Sequence, residues 1–203
     1  MYSNCINKWR VTLLCSSFIS LLAVGNCPAQ DGMRKGTSEL YGIGGYVHGD
    51  DFSGSVEGVP VSAQIDGHAL YGFGLGHNFD DHFNLNTNLL WGSADVDGRA
   101  PGVDVSGDAD VFTWNVNLDY NVFKNAFTPV LSGGIGLINL DGDINGVKFD
   151  ETDFAYNLGA GVRWDAENSF FVKAMYTWTW TELEDTDDSI LLDGFFLAVG
   201  VRF

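Results

Sequence analysis

Stretches of roughly ten residues in which every second side chain is apolar recur along this chain. In the clearest, Phe112, Trp114, Val116, Leu118, Tyr120 and Val122 alternate with Thr113, Asn115, Asn117, Asp119 and Asn121. Successive side chains of a strand point to opposite sides, so such a segment carries one apolar and one polar face. A helix would space its apolar residues three and four apart, and this pattern does not. The same zigzag runs through Tyr71–Leu75, Phe83–Trp91, Phe154–Trp164, Val172–Trp180 and Phe195–Phe203. Two glycine-rich runs, Leu40–His48 and Thr128–Leu140, complete a set of eight strands.

The connections alternate in length. Short turns are expected near Asp80–His82, Lys124–Ala126 and Asp165–Ser169, and long polar loops at Gly49–Gly67, Asp95–Ala109, Asp141–Thr152 and Glu182–Asp193. An even number of strands with short turns at one end and long loops at the other is the pattern of barrels that span an outer membrane. In lipid every backbone group must be paired within the protein, and a closed barrel does this without an edge. A soluble barrel would turn the apolar residues inward. Here one face carries Trp, Tyr, Phe, Leu and Val and the other Asn, Thr and Gly, which predicts the large apolar groups outside.

The first 29 residues differ from the rest. Lys8 and Arg10 form a basic start, Val11–Val24 is mostly apolar, and Cys27-Pro28-Ala29 offers small residues for cleavage after Ala29. These are the three regions of a signal peptide, and the apolar run is short for a membrane anchor. Lipidation at Cys27 is the weaker alternative, because Asn26 precedes it. The expected domains are a removed signal peptide, 1–29, and a barrel, 30–203. All three cysteines, Cys5, Cys15 and Cys27, fall in the leader, so the exported part folds without disulfides. With 27 acidic against 10 basic residues and a net charge of −17, the chain has no basic face for nucleic acid.

The last strand carries the most specific signal: Phe195, Leu197, Val199, Val201 and Phe203 at alternate positions, ending on the aromatic residue. This resembles the terminal strand read by the outer-membrane barrel-assembly machinery. With Ala155–Arg163 and Thr128–Gly134, which are similar to recurring strand sequences, the exported chain as a whole resembles the small eight-stranded outer-membrane β-barrels (porin-like, OmpA/OmpX-type). The resemblance implies an all-β, antiparallel up-and-down transmembrane barrel with both termini in the periplasm, short periplasmic turns and long acidic extracellular loops. It implies a monomer in the bacterial outer membrane after export, in contact with lipid and lipopolysaccharide, and it implies no substrate. The peptidoglycan-binding domain of larger OmpA-type proteins is not expected.

Four inward charges, Asp119, Arg163, Lys173 and Arg202, are expected near the periplasmic mouth as an interior ion-pair network, with Asp119 as the anion for the three cations, because unpaired buried charge is costly. Glycines 42, 44, 72, 74, 76, 134, 136, 159, 161 and 200 are expected to face inward, with Asn84, Asn86, Asn88, Asn115, Asn117, Lys173 and Met175 filling the room they leave. Most acidic residues lie in the loops, which are candidate weak divalent-cation sites. Asp141–Gly146 matches the first half of an EF-hand loop, but its twelfth position is Thr152. His48, His68, His77 and His82 stand in no recognisable Ser–His–acid motif, and no catalytic, cofactor or metal residue is assigned. The expected function is non-enzymatic, in envelope integrity or surface interaction. A narrow channel for small solutes or ions is the alternative, and a lipid-modifying enzyme a second.

Overall fold

The computed structural model describes residues 34–56, 59–100, 103–144, 147–166, 169–182 and 189–203. The expected signal peptide lies outside them. The described residues form ten strands: β1 (Ser38–Val47), β2 (Asp50–Val56), β3 (Val59–Ile65), β4 (His68–Asn78), β5 (Phe83–Ala100), β6 (Val103–Asn121), β7 (Phe127–Ile144), β8 (Val147–Asp165), β9 (Phe170–Glu182) and β10 (Ser189–Arg202). No helix among them is long and apolar enough to cross a membrane, which does not bear on a barrel. β1 and β4–β10 pair antiparallel in order, and β1 closes the ring on β10 from Glu39↔Arg202 to Val47↔Gly194. This is the eight-stranded closed barrel, and its strands are the eight expected segments.

The zigzag decides which face meets lipid. Phe73, Leu118, Leu131, Ile135, Leu158, Val162, Leu197 and Val199 are exposed on the outer wall. Each large apolar side chain moved from water into lipid contributes about 1.5–3 kcal/mol. The outward face then changes chemistry at one level on several strands: Trp91 gives way to Ser93 and Asp95, Phe112 to Asp110 and Asp108, Phe154 to Thr152 and Asp150. Phe83, Tyr120, Phe127, Trp164, Phe170 and Phe203 ring the opposite end. Two aromatic girdles around an apolar band mark the limits of the membrane.

Above the upper girdle the structure departs from the expected loops. β5 and β6 stay paired to Ala100↔Val103, and β7 and β8 to Ile144↔Val147. The first long connection is itself a hairpin, β2–β3, whose second strand docks on β5 from Ser62↔Arg99 to Ile65↔Val96. These extensions stand in water, so neither face has to be apolar, and the alternation that marks a strand in lipid is absent although the backbone ladder continues. Asp141–Ile144 is thus extended strand opposite Val147–Asp150, not the coiled start of an EF-hand loop.

The phase of β1 also differs from expectation. Tyr41, Ile43 and Val47 face the lumen, so Gly42 and Gly44 face lipid, and a Cβ at Gly42 would meet open space. Tyr41 conceals this phase because its ring is apolar while its hydroxyl needs a polar partner. The ring packs where its neighbours are bare: Tyr41 is in register with Gly200 on one side and Gly74 on the other. Asn117 and Asn115 likewise lie over Gly134 and Gly136, and Met175 over Gly161. Large residues on one strand against glycine on the next fill the lower lumen.

Candidate functional site

The lumen has two parts, and the lower one is a plug. The N-terminal segment turns at Arg34–Thr37, with Thr37 N–H donating to the Arg34 carbonyl at 3.1 Å. Gly36 supplies the left-handed φ of 76° that this turn needs. The turn sends Arg34 into the periplasmic mouth, where it is 2% exposed. Its guanidinium donates to all three periplasmic turns: the Asp81 carbonyl (2.9 Å), the Phe123 and Asn125 carbonyls (3.0 and 2.7 Å), and Asp165 Oδ2 (2.8 Å).

Asp165 is the hub of this layer. It also accepts from Arg163 at 2.7 Å and Arg202 at 3.1 Å, while Arg163 reaches across the lumen to Glu39 at 2.7 Å. Arg163 lies 4.4 Å over the Phe171 ring, a further favourable contact for a buried cation. From Glu39 a chain of amides climbs the wall. Asn78 donates to Glu39 (2.6 Å), Asn84 to Asn78 (3.1 Å), Asn86 to Asn84 (3.1 Å) and Asn88 to Asn86 (3.3 Å), and the Tyr41 hydroxyl donates to Asn88 (2.6 Å). Side by side stands a separate pair, Lys173 Nζ on Asp119 Oδ2 at 2.7 Å, with Ser132 donating to the other carboxylate oxygen at 2.7 Å.

The four expected inward charges therefore fall into two groups. Asp119 meets Lys173, and Arg163 and Arg202 take Asp165 instead. Glu39, Arg34 and Asp165 are the members that sequence reasoning missed. Asp165 read as a turn residue because it ends β8, and Glu39 and Arg34 precede the first legible alternation. Phe195, Leu197, Val199, Val201 and Phe203 lie in a row on the outer face of β10 and its end, all exposed. Phe203 and Ser38 exchange backbone hydrogen bonds of 2.7 and 2.9 Å at the closure.

Much of the upper lumen is apolar, which the polar interior expected from the sequence did not include. Val47, Leu70, Leu90, Ala94, Val111 and Ile138 are buried together there, with Leu192 and Phe196 packed against them. They line a cavity of about 370 Å³ whose floor is Asn115, Asn117, Asp119 and Lys173. A signal was present: Leu89-Leu90, Val111-Phe112, Leu137-Ile138, Leu191-Leu192 and Phe195-Phe196 are adjacent apolar pairs. Where two consecutive strand residues are apolar, both faces are.

The histidines form two separate contacts at opposite ends of β1. His77 Nδ1 lies 3.2 Å from Ser38 Oγ at the periplasmic end, and His48 Nδ1 lies 3.1 Å from Asp193 Oδ2 at the outer end, where the Tyr176 hydroxyl also donates to Asp193. The serine and the acid are thus held apart by the length of a strand. Outside the barrel, Asp110, Asp141 and Asp150 stand in register across β6, β7 and β8, yet no group of three or more His, Cys, Asp or Glu side chains among the described residues is arranged to hold a metal ion.

The family model described as outer membrane protein beta-barrel domain matches residues 17–203. No curated protein matches the chain. Solved structures share the fold. OprG, an outer-membrane protein from Pseudomonas aeruginosa, is 16% identical with a TM-score of 0.61, over 84% of this chain and 97% of that one. The N-terminal barrel domain of OprF from the same organism is 19% identical with a TM-score of 0.52, over 83% and 98%. Ail, the attachment invasion locus protein of Yersinia pestis, is 14% identical with a TM-score of 0.51, over 83% and 99%.

Proposed function

We propose that this chain, which belongs to the outer membrane protein beta-barrel domain family and resides in the bacterial outer membrane, is a non-conducting and non-enzymatic barrel that works through its outer surface. The observation that carries this reading is the plug. Arg34, Glu39, Arg163, Asp165 and Arg202 occupy the periplasmic mouth with their charges paired, and the amide ladder from Asn78 to Asn88 continues the seal upward. Moving an ion past that layer requires breaking several buried charge pairs, each of which costs about 3–5 kcal/mol to leave half-made. The separation of Ser38–His77 from His48–Asp193 supports the non-enzymatic part, because hydrolysis needs nucleophile, base and acid within hydrogen-bond reach.

What remains for partners is the sheet of β2, β3 and β5–β8 that stands above the upper girdle. Most of the acidic residues lie on it and its connections. Aspartates placed directly opposite one another repel, so a negative outer face suits cationic partners, or lipopolysaccharide phosphates bridged by divalent cations. A role in envelope integrity or surface interaction fits that face. Planar-bilayer recordings on the refolded barrel test the reading. No steady openings are expected from the wild type, with openings appearing when the plug is weakened by Arg34→Ala. Steady wild-type openings would sink it in favour of the narrow channel.

A further inference from the structure

We infer that the upper lumen binds one single-chain amphiphile, with its alkyl part in the chamber and a neutral polar head (an alcohol or amide) on the floor. The chamber of about 370 Å³ is more than twice the size of the roughly 150 Å³ apolar cavity that holds benzene. It also lies within the roughly 300–1,000 Å³ of small-molecule sites. The apolar side of its wall is Leu70, Leu90, Val111, Ile138, Leu192 and Phe196, while Thr177, Thr179 and Thr181 of β9 also line it. Left empty, those side chains lack dispersion partners on their inner side.

The floor is polar. Thr113 Oγ1, Asn115 Oδ1 and Asn117 Oδ1 are buried without a hydrogen-bond partner among the described residues. They occupy alternate positions of β6 and so form one inward row, running from the apolar wall into the plug. The two amide oxygens have no exposed surface and pack against Gly136 and Gly134 of β7, so the groups a head can meet at this level are the other polar side chains lining it, Asn86, Asn88 and Thr177. The cation at this level, Lys173, is already held by Asp119 at 2.7 Å. Glu151 and Asp153 line the upper part of the chamber. A carboxylate head would therefore meet like charge and a cation already paired, whereas an uncharged hydroxyl or amide head meets neither obstacle. The sequence produces this site by carrying apolar residues on both faces of the strands just below the upper girdle, where only the outer face touches lipid.

The test uses the full barrel in lipid nanodiscs with methyl-labelled side chains, titrated with n-decanol, decanoate or decane. The Leu90, Val111 and Ile138 methyl resonances should shift saturably with decanol. The outward methyls of Leu131 and Leu158 should shift only in linear proportion, as the bilayer takes up the alcohol. Decanoate should bind roughly tenfold more weakly, because its charge faces Glu151 and Asp153 with Lys173 already paired. Ala94→Phe with Ala109→Phe, which fills the chamber, should abolish the saturable shifts. Linear shifts alone at the inward methyls would overturn the inference, and decanoate binding as tightly as decanol would overturn the assignment of the head. The wild-type contrast between inward and outward methyls decides the matter even where a filled variant does not fold. A barrel that conducts ions yet binds decanol saturably would sink the sealed-lumen reading and leave this one standing.

Discussion

Replacing Asp165 with asparagine removes one charge and almost no volume, and it tests whether the plug is held by that carboxylate. Asp165 is 7% exposed and is the acceptor for Arg34 at 2.8 Å, Arg163 at 2.7 Å and Arg202 at 3.1 Å. In the variant the three guanidiniums share the mouth with Glu39, which bonds Arg163 at 2.7 Å. Taking one partner from a buried ion pair costs about 3–5 kcal/mol, because the remaining charge stays desolvated. With a urea dependence of about 2 kcal/mol per molar, within the usual range, the unfolding midpoint should fall by roughly 2 M. The assay is reversible urea unfolding of the barrel in lipid vesicles, followed by tryptophan fluorescence. The internal control is Lys124→Ala. Lys124 is 63% exposed and 3.8 Å from Asp81, a distance and exposure at which an ion pair contributes about 0–1 kcal/mol. An Asp165→Asn midpoint that coincides with the Lys124→Ala midpoint would refute the reasoning.

The second charge pair should behave as a unit: Asp119→Ala leaves the Lys173 ammonium buried and should cost about 3–5 kcal/mol, whereas Asp119→Leu with Lys173→Met should recover most of it. Urea midpoints of the single and double variants check this, and equal losses would count against a direct pair. The phase of β1 is tested by two glycines. Gly74→Leu drives a side chain into the Tyr41 ring and Asn88 and should lower stability by about 1–3 kcal/mol or more, while Gly42→Leu adds a group to the lipid-facing wall and should be tolerated, as the yield of heat-modifiable folded barrel will show. Asp80 accepts the N–H groups of Phe83 and His82 at 2.7 Å, in the order Phe83 then His82, which holds its pKa below the ordinary carboxylate range. Its contribution is therefore present above about pH 4 and lost as pH falls through the lower folded value. The urea-midpoint difference between wild type and Asp80→Ala should be flat between about pH 5 and 7 and close at lower pH. Deleting Phe203 removes its backbone hydrogen bonds with Ser38 and the last residue of the outward row, and should reduce assembled barrel in the outer membrane, measured by cell fractionation.

How much of this was legible in the sequence follows from what each environment demands. Lipid favours apolar side chains at outward positions, so β6, with Phe112 to Tyr120 on one face and Thr113 to Asp119 on the other, could be read residue by residue. Water above the girdle demands nothing comparable. The extensions to Ala100↔Val103 and Ile144↔Val147 continue the backbone ladder without apolar alternation and read as loops. The lumen demands only that volume be filled and charge be paired, and both conditions are met across the barrel, not along the chain. Alternation puts Arg163 inside and near the periplasmic end, but it does not say which carboxylate stands opposite. Glu39, 124 residues away, becomes its partner once β1 closes on β10. Asp119 was expected to serve three cations because it was the one inward anion that alternation exposed. Glu39 escaped notice because it precedes the first legible alternation, and Asp165 because it ends β8 and read as a turn residue.

The same asymmetry explains why the plug and the chamber can coexist in one barrel. The outer face is held to a single chemistry from one girdle to the other, and the inner face is free to change halfway up. Below, the inward positions became amides, glycines and paired charges, which seal. Above, the adjacent pairs Leu89-Leu90, Val111-Phe112 and Leu191-Leu192 placed apolar side chains inside as well as outside. Membrane insertion does not require the inner member of such a pair, since lipid reads only the outer one. A polar residue in its place would serve a water-filled lumen better. The inner apolar set is therefore best accounted for by something apolar that it holds.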